Sequence, residues 1–353
     1  MSIKSVIIGF SGGVDSSTSA FLLKQQGYDV TGVTFIINNQ WADENIKSVQ
    51  LSANNLKIKH MFINAEDIFS QRIISDYIKS IQDGIMGSPC PLCNDIFKFS
   101  MLKQIADNQK IDYISTGHYA KIKTINNMYF IQKGIDPLKD QSYMLYRLNQ
   151  EIKKRLLFPL GNYHKFEIRK IAADHQLSPA TRPDSQGLCF AQSGYINFIK
   201  SKIDSQLKKG YFCLKDNTII GLHNGYQLYT VGQRRGLGIN YNTPLFITEI
   251  IASENKIILG DFNQLKISNV KLKNSIIHEN YKEIITKKEY TVRPRNSSQG
   301  HPATIHQENN DLIISYKIPN SENAPGQHLV IYDEDIVVGG GIISSEKLPA
   351  SVL

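Results

Sequence analysis

Two groups of residues in this 353-residue chain have types and spacing that could do chemistry. The first is Gly9-Phe10-Ser11-Gly12-Gly13-Val14-Asp15-Ser16-Ser17, which closes a short apolar run at 6–10 and opens a stretch with helical spacing. Adjacent glycines let backbone N–H groups turn inward around an anion, and a helix N-terminus adds its positive end. Ser11, Ser16 and Ser17 add hydroxyl donors for phosphate oxygens. No Lys follows the glycines and the GxGxxG spacing is missing, so neither of those two nucleotide loops applies. Asp15 is an acid in an anion-binding loop, a conflict that a magnesium ion bridging phosphate oxygens would resolve. The second group is thiols. Cys90-Pro91-Leu92-Cys93-Asn94 stands before a helix whose N-cap is expected at Asn94 or Asp95, where the helix end favours a thiolate. Cys189 falls in a polar loop, Arg182-Pro183-Asp184-Ser185-Gln186-Gly187-Leu188-Cys189-Phe190, and Cys213 reads as a small apolar filler. A zinc site wants four ligands, and no second CxxC or CxxH is present. A redox CxxC is the alternative, though the pair is not in a thioredoxin-like context; one thiol from 90–93 and another at 189 fit sulfur transfer better, one carrying the sulfur and the other resolving it.

These residues need a frame to hold them. Residues 6–10 read as a strand, Ala20, Leu22 and Leu23 mark a helix that Gly27 stops, and 29–37, 59–64 and 111–116 read as further strands. Helical periodicity runs over 43–56, 66–82 and 95–108. This βαβα order predicts an α/β fold with a parallel sheet covered on both faces. A hairpin is expected at Asn126-Asn127, and helices at 165–176 and 195–205. After 205 the texture changes to short alternating segments separated by Asn, Gly and Pro, an all-β half of one or two small barrels. The expected domains are 1–204, 205–268 and 269–353.

Composition narrows the class. At 41% hydrophobic and 20% charged residues, the chain is neither disordered, collagenous nor a coiled coil. No apolar run approaches the ~18–20 residues of a membrane span, and the opening MSIKSVIIGF lacks a signal-peptide layout. Four cysteines in a chain this long do not make a disulfide framework, so a cytoplasmic protein with reduced cysteines is expected. The net charge of +8 is concentrated: residues 147–170 and 264–296 each carry five more basic than acidic side chains, leaving the remainder slightly acidic. Concentrated basicity suits a polyanion such as nucleic acid.

SGGVDSS resembles the loop of ATP pyrophosphatases, which cleave ATP to AMP and pyrophosphate and activate a carbonyl oxygen as an adenylate. Longer stretches resemble one family closely, the tRNA-specific 2-thiouridylases (MnmA/TrmU). They are GFSGGVDSS at 9–17, PCPLCN at 89–94, STGHYAKI at 115–122, KDQSYMLY at 139–146 and DSQGLCF at 184–190, then YTVGQRRGLGI at 229–239, PGQHLVIYDEDIVVGGGII at 325–343 and a looser RPRNSS at 293–298. The resemblance implies an ATP-pyrophosphatase domain (adenine nucleotide alpha hydrolase-like), a small β-rich tRNA-binding domain and a C-terminal β-barrel. It implies that ATP, with Mg2+, adenylates O2 of the wobble uridine in tRNAs for Glu, Gln and Lys. Sulfur from a cysteine desulfurase or sulfur-relay protein then displaces AMP.

Carried onto this sequence, Cys189 matches the persulfide-bearing cysteine. Cys93 matches the catalytic nucleophile that frees the sulfur or forms a disulfide with Cys189. Gly9, Phe10, Ser11, Gly12, Gly13, Val14, Asp15, Ser16, Phe35 and Gly117 match nucleotide contacts, with Asp15 also counted as catalytic. Lys139, Asp140 and Gln141 match a tRNA-contacting stretch, and Arg295 and Asn296 a barrel contact in which Asn replaces the usual aromatic. Ser88, Pro89 and Cys90 stand where many relatives have Asn-Pro-Asp, and the resemblance implies that they too contact the RNA. Cys90 opens a second reading, in which Cys90, Cys93 and Cys189 hold a 4Fe–4S cluster with one open iron and sulfide on iron is the donor. Thiolation of another RNA, such as rRNA, is a further alternative. His118, beside Gly117, either orients a phosphate or caps a strand end. The protein is expected to act as a monomer. A small-molecule ligase of the same class would explain the loop but leave the thiols and basic stretches without roles. A non-enzymatic RNA-binding paralogue would tolerate a broken loop or a missing Cys189, and both are intact.

Overall fold

The computed structural model describes residues 3–38, 43–177, 187–191, 194–309 and 311–348. The chain divides into two compact units, one from residues 1–74, 90–186 and 335–337, the other from 75–89, 187–334 and 338–353. In the first, β1 (Ser5–Gly9), β2 (Asp29–Ile36), β3 (Lys59–Asn64) and β4 (Tyr113–Ser115) run parallel. An antiparallel hairpin of β5 (Ala120–Ile125) and β6 (Met128–Lys133) follows, and β7 (Leu156–Leu157) then joins the sheet in the order β3-β2-β1-β4-β7. Val6, Ile7 and Ile8 are completely buried because both faces of β1 are covered. Val6 and Ile8 pack with Ala20 and Leu23 of the helix Val14–Gln25 and with Val49, Ala53 and Leu56 of the helix Asp43–Leu56. The chain builds outward from β1 to β2 and β3, then returns to the other side of β1 at β4. That reversal places a topological switch point at the carboxyl ends of β1 and β4, where open α/β sheets bind ligands.

Local signals set several elements as expected. Asn126 and Asn127 take φ of 48° and 62°, the left-handed pair a two-residue hairpin turn requires. Two helices differ from expectation. The one read over 66–82 comes as Glu66–Phe69, a wider π turn Ser70–Ile74, and Ser75–Gln82. The one expected from Asp95 begins at Cys90 and runs through Cys90–Cys93, a π turn Asn94–Phe99, and Ser100–Asn108. Pro91 explains the earlier start, since proline is preorganised for a first helical turn and lacks only an N–H that has no partner there. Asn94, expected as a cap, is instead buried, and its side chain donates to the carbonyl of Met144 at 3.0 Å.

The second unit is mostly strand. β8 (Gly210–Cys213), β9 (Ile219–His223), β10 (Phe246–Ile251) and β11 (Lys256–Gly260) form a sheet in the order β10-β11-β8-β9 around Phe212, Ile247, Ile257 and Leu259. Next come β12 (Ile267–Ile277), β13 (Tyr290–Arg293), β14 (His301–Glu308), β15 (Asp311–Asn320), β16 (His328–Asp333) and β17 (Ile336–Ile343). They close into an antiparallel barrel because β12 pairs with both β15 and β17. A bulge between Lys273 and Ile276, with Asn274 at φ 51°, bends β12 from one partner to the other. Gly339 permits the close approach, since a Cβ there would strike the carbonyl of Ile276.

Candidate active site

The glycine loop lies at the switch point of the sheet. Gly12 takes φ +69° and packs on the helix Asp43–Leu56, where a Cβ would come within 3.1 Å of the Val49 Cα. Gly13 is the N-cap of the helix Val14–Gln25 and supplies no side-chain cap, which leaves the first-turn N–H groups for an anion. Ser16 Oγ donates to Gly13 O and accepts from Ser11 N, both at 3.2 Å, and so holds the loop's curve. Gly117, just after β4, makes the second wall: a Cβ there would sit 3.1 Å from the Ser16 nitrogen. Only glycine lets the β4 end come this close to the helix start. Phe10 and Val14 are turned into the core, so what they offer a ligand is main chain. Ser17 is fully buried as well and takes no part in the cradle. Phe35 stands partly exposed at the end of β2, edge-on to Phe97 at 5.5 Å between ring centroids.

Asp15 has a cation of its own. Lys165 Nζ lies 2.7 and 2.8 Å from its two carboxylate oxygens, and the Tyr119 hydroxyl donates to Oδ1 at 2.8 Å. Lys165 is buried, and its backbone N–H donates to Asp136 at 2.9 Å. The acid that magnesium was expected to neutralise is therefore already paired within the chain. His118 is a core residue: its ring packs on Phe99 and Phe158, Thr116 Oγ1 lies 2.7 Å from its Nδ1, and burial holds its pKa well below the ordinary value.

The thiols are displayed differently. Cys90 and Cys93 are half-buried and one helical turn apart, which places them on one face. Their helix is fastened to the segment after the hairpin by the Asn94–Met144 bond and by Arg147, whose Nε lies 3.2 Å from Asp95. Burial raises the Asp95 pKa, and Arg147 opposes that rise. Cys189 is exposed, on a loop whose next residue, Phe190, is anchored against Phe198 at 4.9 Å and Tyr77 at 5.8 Å. Residues 184–186 of the DSQGLCF motif lie outside the described residues. The four cysteines are thiols rather than disulfides, and Cys213 is buried as a filler would be. Among the described residues, no group of three or more His, Cys, Asp or Glu side chains gathers to hold a metal ion.

The stretches expected to meet RNA are well anchored. Asp140 is buried and accepts from Gly134 N, Ser142 N and Ser142 Oγ at 3.0–3.2 Å. Gln141 exchanges bonds with the Tyr119 backbone at 2.9 and 3.0 Å, while Lys139 is partly exposed. In the second unit, Ser88 O lies 3.0 Å from His328 Nε2, and Pro89 closes the same segment. Arg295 donates twice to Glu322 O, at 2.6 and 3.1 Å, and Asn296 O accepts from Arg293.

Comparison with known proteins places this geometry. Residues 4–193 match the family described as tRNA methyl transferase HUP domain, 196–261 its PRC-barrel domain, and 267–343 the aminomethyltransferase beta-barrel domain. The tRNA-specific 2-thiouridylase MnmA 2 of Fusobacterium nucleatum is 43% identical over 97% of this chain and 100% of its own. The chain belongs to the tRNA-specific 2-thiouridylase family. Other 2-thiouridylases are similar to it: that of Phocaeicola vulgatus at 39% identity over 96% of this chain and 97% of its own, and that of Clostridioides difficile at 37% over 96% and 98%.

What sequence reading of this 2-thiouridylase-family chain missed is the support around Asp15. Lys165 and Tyr119 are distant in sequence, and only the fold brings them to the loop. A local clue existed for Lys165: it follows His164, which with Glu167 forms a capping box, so a helix start and its first basic residue were marked.

Proposed function

We propose that this protein is an ATP-dependent tRNA-uridine 2-sulfurtransferase, acting as a monomer in the cytoplasm on the wobble uridine of tRNAs for Glu, Gln and Lys. The observation that carries the reading is the uncapped glycine loop at the switch point, an anion cradle holding an acid. The division into an ATP-pyrophosphatase domain (1–204), a β-rich domain (205–268) and a barrel (269–353) is supported by family matches that break near the same positions.

An oxygen on a urea-like carbon leaves poorly until it is esterified to phosphate. Uridine O2 attacks the α-phosphorus of ATP, the α–β anhydride bond breaks, and pyrophosphate leaves as N3 gives up its proton. The loop holds the phosphates by main-chain N–H groups, that of Ser16 among them, and by the Ser11 hydroxyl, and magnesium at Asp15 would supply neutralising charge. The terminal sulfur of a Cys189 persulfide, loaded by a cysteine desulfurase or sulfur-relay protein, attacks C2 and AMP departs. The Cys93 thiolate then attacks the Cys189 sulfur, and the S–S bond passes to a Cys93–Cys189 disulfide. Sulfur stays on C2 as the thiocarbonyl, N3 regains a proton, and a thiol reductant resets both cysteines. The exposure of Cys189 supports its role as the acceptor from a donor protein.

The test uses purified protein, ATP, a desulfurase with cysteine, and unmodified tRNA transcripts, reading 2-thiouridine by mass spectrometry and pyrophosphate release in parallel. Cys189→Ser should abolish thiolation while RNA-dependent pyrophosphate release and tRNA affinity stay within about twofold. Robust thiolation by that variant, or thiolation of rRNA but not tRNA, would overturn the assignment.

A further inference from the structure

The second unit carries a basic loop that the chemistry above leaves unused. Between Asp216 and Glu249 the sequence has no other acidic residue, and its only Lys or Arg side chains there are the adjacent pair Arg234 and Arg235. Both are exposed, and neither makes a hydrogen bond or ion pair through its side chain with another described residue. Many basic side chains of the two more basic stretches are different. Within 147–170, Arg147 is paired with Asp95, Arg155 with Asp107 and Lys165 with Asp15, while Lys153 is completely buried. Within 264–296, Lys271, Lys282 and Lys288 have carboxylate partners and Arg293 is buried. Arg234 and Arg235 are uncompensated where those side chains are not; Lys154, Lys170, Lys273 and Lys287 of the same stretches are also exposed without a carboxylate partner among the described residues, but none of them is one of an adjacent pair of guanidinium forks.

The loop is pinned. Gly232 N donates to Ile247 O at 2.8 Å and Ile247 N to Gln233 O at 3.0 Å. The Gln233 side chain accepts from Thr230 N at 3.1 Å and donates to Arg235 O at 3.0 Å. Tyr229, Val231, Leu237 and Ile239 pack into the core around Phe212 and Ile247. A pinned base means little ordering is left to do when a partner binds. The backbone is also bare: Gly232, Gly236 and Gly238 take φ of +87°, +74° and +67°, and a Cβ on Gly232 or Gly238 would meet nothing within 4 Å. Beside the loop, Thr230 and Gln233 share an open depression of ≈ 600 Å³ with residues 194–197. Those residues begin the helix Tyr195–Ile203, whose Phe198 holds Phe190, the neighbour of Cys189.

We infer that Arg234 and Arg235 grip the sugar–phosphate backbone of the RNA substrate on this bare loop. The inference rests on the reading of the protein as an RNA thiolase. Guanidinium forks match phosphate oxygens bidentately, and exposed main chain accepts the close approach of a phosphate. A protein partner fits less well, because Val231, Leu237 and Ile239 point inward and the loop lacks the apolar centre of a protein interface.

The experiment measures binding of an unmodified wobble-uridine tRNA transcript by fluorescence anisotropy across a salt series. It compares the full-length protein with Arg234→Gln/Arg235→Gln and Arg234→Lys/Arg235→Lys. The glutamine variant should flatten the slope of log affinity against log salt by about 1.4–1.8, at roughly 0.7–0.9 per lost phosphate contact, and weaken binding about tenfold near 0.1 M salt. Its melting temperature and ATP affinity should not change. The lysine variant should keep the slope and bind a few-fold more weakly. An unchanged slope in the glutamine variant overturns the inference. So does a slowed sulfur transfer from the donor protein to Cys189 with RNA binding intact, which would assign the surface to the donor. If the unsubstituted protein bound no tRNA at all, the thiolase reading would fall first and this inference with it.

Discussion

Lys165 gives Asp15 a cation before any nucleotide arrives, and the two partners are not equally buried. The Lys165 side chain is 11% exposed and that of Asp15 36% exposed. Removing the acid strands an ammonium away from water, whereas removing the lysine leaves a carboxylate that water can reach at a helix N-terminus. Asp15→Asn should therefore cost about 2–3 kcal/mol of stability and Lys165→Met about 1 kcal/mol, with the double variant less destabilised than the sum. Urea unfolding of the four proteins measures this, and strict additivity would show that the pair is not coupled. The glycines and Asp15 were legible in the sequence because a loop between a strand and a helix is a local object. Lys165 was not, because it reaches Asp15 across 150 positions through a helix placed by tertiary packing.

Elements carry their own consequences. The helix Gln150–Lys153 is capped by Asn149, and Gln150 holds β6 by exchanging bonds with Tyr129 at 2.9 Å each. That packing puts Lys153 out of contact with solvent, its Nζ 5.8 Å from the centre of the Phe130 ring. Burial pulls its pKa down from 10.5 to about 7. Between those values the unfolded chain binds more protons than the folded one, so this lysine makes stability rise with pH across the window from about 7 to 10.5. The slope it contributes is at most about 1.4 kcal/mol per pH unit. Lys153→Met should remove that slope and raise stability most at and below neutral pH. Denaturant midpoints at pH 7 and 9.5 test it, and an unchanged difference between the two would rule out a titrating Lys153. Element legibility followed the same logic of locality. The Asn126-Asn127 turn was readable because two left-handed residues need only each other. β12 is harder to read, because its alternation is interrupted at Asn274, where it leaves one partner for another.

At the scale of the whole molecule, charge read along the chain misleads wherever the fold pairs it internally, as Arg147, Arg155 and Lys165 show. The α/β half and the β half were nonetheless clear, since each follows from a hydrophobic period repeated many times. Barrel closure brings β17 close against β12 at Gly339 and at Gly341, and at Gly339 an added Cβ would strike the Ile276 carbonyl. Gly339→Val should cost about 1–3 kcal/mol by forcing the strands apart, seen as a lower melting temperature with ATP affinity retained. A neutral effect would mean the strands separate there without loss. The path of the chain has one more consequence. Residues 335–337 belong to the first unit, where Ile336 pairs with Gln132 and Lys133 N donates to Asp335 O at 2.9 Å. A ribosome therefore releases this piece of the first unit only after residues 187–334 of the second have emerged. The hairpin of β5 and β6 waits with an open edge through most of translation. A premature stop a few codons short of Asp335 would truncate both units at once, so messages cut before that codon should yield chains that proteases clear rather than a working first unit.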